Sequence, residues 1–282
     1  MDTDQMEIRD RIRKLSVLPS RFNIMLEHAL LRVEEKSREH LCTVACVISN
    51  ATWQHWQSWR LPEDNRQEHE WVVFANVMQI AKSEGLTLSN RRIATAFCFI
   101  HDTCSIRRIM EGDIRELPPG EAAKSKQMSS ERRVAHMKGG AENAGFLLRQ
   151  LKDPDTQEPL LNEREIDRCV AIVAKHDSWK LDKPKPPRTK DRLAFACLEG
   201  DVLWPLHPIG VLADLERPND KGENKDLFDP VKWREQLESS LKTLEFKPYG
   251  TKIPARDFKH GTIFRTNEGY RLYSAWREFW HL

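Results

Sequence analysis

The sequence predicts an all-α protein, a helical bundle with N- and C-terminal extensions. Three observations predict it. Apolar residues recur at three- and four-residue spacing through most of the 282 residues, strand-like alternation is scarce, and Pro- and Gly-containing breaks cut the periodic stretches into helix-sized pieces. A hydrophobic share of 39% against 31% charged supplies a core at this length and excludes a disordered chain. No apolar run nears the roughly 18 residues that span a bilayer.

The first fourteen residues set Asp2, Asp4, Glu7 and Asp10 against Arg9, Arg11, Arg13 and Lys14 in a charged, amphipathic pattern. They lack the apolar stretch of a secretory signal, so the expectation is an intracellular, cytoplasmic protein. From Ser20 to Ser49, apolar positions at Phe22, Met25, Leu26, Ala29, Leu30 and Val33, then Leu41, Val44, Ala45 and Ile48, predict two helices or one bent one. Trp53, Trp56 and Trp59 continue at three-residue spacing, which suits a face packed on the main domain better than a stacking site for an aromatic ligand.

The break Leu61-Pro62-Glu63-Asp64-Asn65 ends this N-terminal extension (1–59) and opens a central domain (60–210). A helix runs from near Glu68 through Val72, Val73, Ala75, Val77, Ile80 and Ala81 to Gly85, and Leu88-Ser89-Asn90 offers a cap for the next. From Arg91 to about Thr103 the apolar residues Ile93, Ala94, Ala96, Phe97, Cys98, Phe99 and Ile100 cover too much of the circumference for a surface stripe, predicting a buried central helix. The polar segment from Gly112 to Ser130, with Pro118-Pro119-Gly120, reads as a loop able to act as a lid.

Helices follow at about 130–151, 162–175 and 190–203. The C-terminal extension (211–282) holds an exposed charged loop, an amphipathic helix near Val231–Leu244 and an aromatic tail with Tyr270, Tyr273, Trp276, Phe279 and Trp280. The stretch 249–282 is expected to form a short strand pair and then a helix, packed on the core or on a partner subunit, which leaves a homo-oligomer open.

With Lys+Arg at 45 and Asp+Glu at 43, the net charge of +2 gives no global electrostatic case for nucleic acid or an anionic membrane. The six cysteines, Cys42, Cys46, Cys98, Cys104, Cys169 and Cys197, lie in apolar stretches and suit reduced, buried thiols. Cys42 and Cys46 share a helix face, but no second Cys/His pair at finger spacing accompanies them, so core packing is the expectation.

His101-Asp102 ends the most apolar helix, where burying an ionisable pair is costly unless a metal or partner compensates. His69, His136, His176 and Asp201 fall in order on the neighbouring helices, each near a helix end or on an inward face. Any one of these alone reads as a satisfied core or cap residue. Together, four imidazoles and two carboxylates suit two divalent transition metals (Fe, Mn, Ni, Co or Zn) with Asp102 as a bridge and water in the open positions. Small residues in His136-Met137-Lys138-Gly139-Gly140 allow that helix to approach a neighbour closely.

These residues resemble the HD-domain superfamily of metal-dependent phosphohydrolases, whose ordered signature is H, HD, H, H, D. The likeness covers about residues 60–210: RIATAFCFIHD (92–102) resembles the family's central helix, HMKGGAENAGFLL (136–148) the third ligand helix, AIVAKHDSWKL (171–181) the fourth, and LAFACLEGDVLW (193–204) the segment carrying the last Asp. The resemblance implies an HD-type helical bundle in which His69, His101, Asp102 and Asp201 hold one metal, and Asp102, His136 and His176 the second. It implies His101 and Asp102 at the catalytic centre and a small phosphorylated substrate, a nucleotide among the candidates.

The chain departs from the family after the HD pair. Many members continue with Gly-Lys, whereas this sequence reads Thr103-Cys104-Ser105-Ile106-Arg107-Arg108. Arg107, Arg108, Lys138 and Lys180 are therefore the candidates for binding the substrate's anionic group, and Asp177 is a candidate for orienting a metal ligand. Three functions stay open on the sequence: phosphoester hydrolysis, oxidative cleavage by a mixed-valent di-iron pair as in a few families of similar fold, and a non-catalytic module stapled by its metals.

Overall fold

The computed structural model describes residues 3–58, 66–103, 130–181, 187–188, 190–216, 229–245 and 259–282. Among these the chain is all-α. Eleven α-helices follow one another: α1 (Thr3–Leu15), α2 (Ser20–Leu30), α3 (Glu35–Ser58), α4 (Arg66–Ser83), α5 (Leu88–Ile100), α6 (Ser130–Leu148), α7 (Glu163–Val173), α8 (Arg192–Val202), α9 (Pro208–Glu216), α10 (Pro230–Leu244) and α11 (Asn267–Phe279). Short 3-10 turns at Ser178–Lys180 and Trp204–Leu206 follow α7 and α8. The extended backbone among the described residues is limited to a single bridge between Lys152 and Pro159.

The helix α5 is the axis of the fold. It packs against α3, α4, α7 and α8, and Ala94, Ala96, Phe97, Cys98, Phe99 and Ile100 are fully buried, as an apolar run broken only by Thr95 requires. Its cap is Thr87, one residue before the segment the sequence suggested: the Thr87 hydroxyl accepts from the Asn90 backbone N–H, while the Ser89 hydroxyl donates to Glu165. Asn162 and Glu165 close a reciprocal capping box at the start of α7.

The charged N-terminus forms α1, anchored by Ile8 and Ile12 one turn apart and by the Arg9–Glu27 ion pair at 2.6 Å. Trp53 packs on the core edge-on to Phe22, and Trp56 and Trp59 lie outside the residues whose side chains are described. The same core continues into the C-terminal helices, with Leu237, Leu241, Leu244, Phe264 and Tyr273 buried in it. The tail thus packs on the core, and the Trp280 indole N–H donates to the Leu206 carbonyl at 2.8 Å.

Two sequence expectations change or fall away here. No strand pair precedes α11 among the described residues, and 249–258 of the stretch expected to form it lie outside them. His260 (φ 47°) and Gly261 (φ 76°) instead close a tight turn in which the Lys259 N–H donates to the Phe264 carbonyl. The lid expected between Gly112 and Ser130 falls on residues that, Ser130 apart, lie outside the described ones.

Glycines set the closest helix approaches. A Cβ on Gly200 of α8 would lie 2.3 Å from the Val77 side chain and 2.9 Å from its backbone nitrogen, so only glycine lets α8 lie this near α4. Cys42, Cys46, Cys98, Cys169 and Cys197 are free and buried; burial pushes the Cys169 thiol up to about 12 and those of Cys98 and Cys197 well above the usual thiol range, so these three stay protonated.

Candidate metal centre

Four of the six sequence-predicted ligands sit at the C-terminal ends of helices. His101 caps α5 and Asp102 follows it, Asp201 lies in the last turn of α8, and His176 stands three residues beyond α7. Helix C-termini carry partial negative charge, which attracts cations and disfavours bare carboxylates. His69 in the first turn of α4 and His136 in α6 complete the group from across the bundle.

The six side chains form two clusters. In the first, His69 Nε2 lies 3.0 Å from His101 Nε2 and 3.2 Å from Asp201 Oδ1, with His101 Nε2 to Asp201 Oδ1 at 3.4 Å. In the second, His136 Nε2 lies 3.2 Å from His176 Nε2 and 3.2 Å from Asp102 Oδ1, which is 3.5 Å from His176 Nε2. Asp102 faces both clusters, its Oδ2 being 3.6 Å from His69 Nε2.

The ring hydrogen bonds say which nitrogen is presented. Nδ1–H of His101 donates to the carbonyls of Phe97 (3.1 Å) and Cys98 (3.2 Å), and Nδ1–H of His176 donates to the Val173 carbonyl (2.7 Å). Carbonyls only accept, so Nδ1 carries the hydrogen and Nε2 offers its lone pair inward. Lone pairs gathered this closely repel unless positive charge lies among them. Ligand atoms about 2.1 Å from one metal ion would be roughly 3.0 to 3.4 Å apart at octahedral to tetrahedral angles, which is the spacing found.

Electrostatics agree with that fit. Burial alone would lower the His101 pKa, but Asp102 and Asp201 beside it reverse this and push it up to about 10. Desolvation would raise the carboxyls of Asp102 and Asp201, and the surrounding histidines hold both well below the usual range. The two clusters are thus sites that demand positive charge, and their His/Asp donor sets fit transition-metal ions.

Exposure differs among the six side chains. His101 is wholly buried and His136 and His176 nearly so, whereas the Asp102 side chain is 22% exposed. Trp204 stands edge-on to the His69 ring at 5.1 Å and limits its rotation. On α6, Gly140 brings the helix against the backbone carbonyl of His101, which draws the two clusters together.

The remaining candidates are placed differently from one another. Arg107 and Arg108 lie outside the described residues. Lys138 is exposed and faces Glu142 at 3.9 Å; two residues from His136 on a helix, it points to the opposite side and is not brought to the clusters. Asp177 is buried and its carboxylate lies between Lys180 Nζ (2.7 Å) and Arg133 Nη1 (2.7 Å), while the His176 ring bonds the Val173 carbonyl instead. Burial would raise the Asp177 carboxyl, and Lys180, His176 and Arg133 together hold it below the carboxylate range. Arg133 was not marked by the sequence, though it lies one turn ahead of His136.

Compared with protein-family models, curated proteins and solved structures, the chain matches none. The described residues hold no helix long and apolar enough to cross a membrane.

Proposed function

We propose that the chain is a metal-dependent phosphohydrolase acting on a small phosphate ester, a nucleotide among the candidates. The observation that carries this reading is the gathering of six ligand atoms into two triads that share the reach of Asp102. His69, His101 and Asp201 hold one divalent transition metal; Asp102, His136 and His176 hold the second. When bound, such a pair lowers the pKa of a water to near neutrality and offsets charge on phosphoryl oxygens.

The chain's own residues have defined tasks in this reading. His101 and His176, fixed through Nδ1, keep their Nε2 lone pairs aimed inward without rotational freedom. Trp204 and the buried face of α5 exclude water behind the clusters, so substrate approaches over Asp102. Lys180, beside Asp177, is on hand to bind the anionic group, a role that Gly-Lys after the HD pair fills in many proteins of the resembling family.

The test is turnover of p-nitrophenyl phosphate, bis-p-nitrophenyl phosphate and nucleotides by protein reconstituted with each of Fe, Mn, Co, Ni and Zn. Metal-dependent hydrolysis that is lost in Asp102→Ala and His101→Ala supports the reading. Turnover retained in either variant overturns it, and activity that requires O2 assigns the site to oxidative chemistry instead.

A further inference from the structure

We propose that Arg133, Lys180 and the indole N–H of Trp179 form the dock for the substrate's anionic group, a tetrahedral oxyanion of the phosphate class. The proposal rests on the hydrolase reading for its substrate but on separate residues for its geometry. Arg133 belongs to α6, about 4.5 Å along the helix axis from His136. Asp177, Trp179 and Lys180 belong to the turn directly after His176. The dock therefore joins the two elements that supply the His136–His176 cluster.

Three observations mark these groups as donors still to be used. First, Asp177 is paired twice, to Arg133 at 2.7 Å and to Lys180 at 2.7 Å, so the group carries one positive charge beyond what the carboxylate neutralises. A staple between α6 and the turn needs only one of these cations. Second, Asp177 engages Arg133 through Nη1 alone, so Nε and Nη2 have no acceptor among the described residues. The arginine fork suits two-point binding of an oxyanion.

Third, the Trp179 ring is 8% exposed and its Nε1 has no hydrogen-bond partner among the described residues. A buried donor left without an acceptor costs about 1–3 kcal/mol, which an oxyanion bound to it would recover. Lys180 Nζ lies over the face of the same indole ring, 4.8 Å from its centre, which keeps the ammonium beside the tryptophan. Arg133 and Lys180 are partly open, with side-chain exposures of 18% and 31%, as a dock reached from solvent must be.

The experiment is calorimetric titration of inorganic phosphate into the full chain, both metal-reconstituted and chelator-treated, with metal per chain measured on every sample. Wild type is compared with Arg133→Gln, Arg133→Lys, Lys180→Gln and Trp179→Phe. Phosphate affinity is expected to fall about tenfold or more in Arg133→Gln and Lys180→Gln and severalfold in Trp179→Phe, with partial recovery in Arg133→Lys and unchanged metal content. If Arg133→Gln does not fold, Lys180→Gln and Trp179→Phe carry the test, because Asp177 keeps a cation in both.

Phosphate binding absent in both forms of the wild type, or unaltered in all variants, overturns the proposal. So does loss of metal in step with phosphate, which would make the fork a structural clamp. Phosphate binding that depends on Arg133 and Lys180 in a chain that hydrolyses no phosphoester leaves the dock standing and removes the hydrolase reading.

Discussion

Gly140 of α6 meets the backbone of His101: a Cβ there would lie 2.9 Å from the His101 carbonyl oxygen and 3.4 Å from Val173 Cγ1. The backbone oxygen has nowhere to retreat, because it belongs to the capping turn that aims the His101-Asp102 pair. Gly140→Ala is expected to push α6 outward, destabilise the fold by about 1–3 kcal/mol and weaken metal retention at His136 and His176 more than at His69, His101 and Asp201. Denaturant unfolding and metal content per chain check both effects.

Glu199, two residues before Asp201 in α8, is a buried carboxylate that accepts from the backbone N–H groups of Arg265 (2.6 Å) and Thr266 (3.0 Å) and from the Thr266 hydroxyl. It fixes the start of α11, where Thr266 is the N-cap. Glu199→Ala leaves these donors buried without an acceptor and is expected to cost about 2–4 kcal/mol. Hydrogen exchange is the readout: α11 should lose protection first, ahead of α5.

His207 gives a pH dependence of known sign. Its Nδ1 accepts from the Ile209 N–H at 3.3 Å at the start of α9, and burial pushes its pKa down to about 4. The unfolded chain, with a pKa near 6.5, takes up the proton first. This contribution to stability is therefore intact above about pH 6.5 and is lost as pH falls toward 4. His207→Asn keeps an acceptor and does not titrate, so between pH 7 and pH 5 it should lose about 1 kcal/mol less than wild type by chemical denaturation.

Metal removal should destabilise the whole fold, because the ligands come from α4, α5, α6 and α8 and from the turn after α7. At a metal concentration about a thousandfold above Kd, binding adds roughly 4 kcal/mol, equivalent to about 10 °C in Tm. Scanning calorimetry with and without chelator checks this. An unchanged Tm would mean that the clusters hold no metal that matters to folding.

Much of the site was legible because it contradicts its surroundings. His101 and Asp102 end a helix whose neighbours are all apolar, and Asp201 follows Leu193, Phe195, Ala196 and Leu198 in the same way; chains place ionisable groups there only with compensation. Gly140 was legible as part of a small-residue pair, although the sequence does not say which backbone it meets. Arg133 and Trp179 were not legible, because an arginine among charged residues and a tryptophan after a polar turn look like ordinary surface and core. Their meaning comes from Asp177, which is brought between Arg133 and Lys180 only when α6 packs against the turn. Of the stretch before α11, residues 249–258 lie outside the described ones, and in the part described His260 and Gly261 turn the chain instead of pairing strands.

The decisive measurement is metal per chain, by elemental mass spectrometry on protein purified anaerobically and then reconstituted. About two transition-metal ions are expected in wild type, about one in His136→Ala, and a deficit at both clusters in Asp102→Ala. Fewer than about one ion per wild-type chain after reconstitution with every candidate metal would contradict the dinuclear site and, with it, the hydrolytic reading.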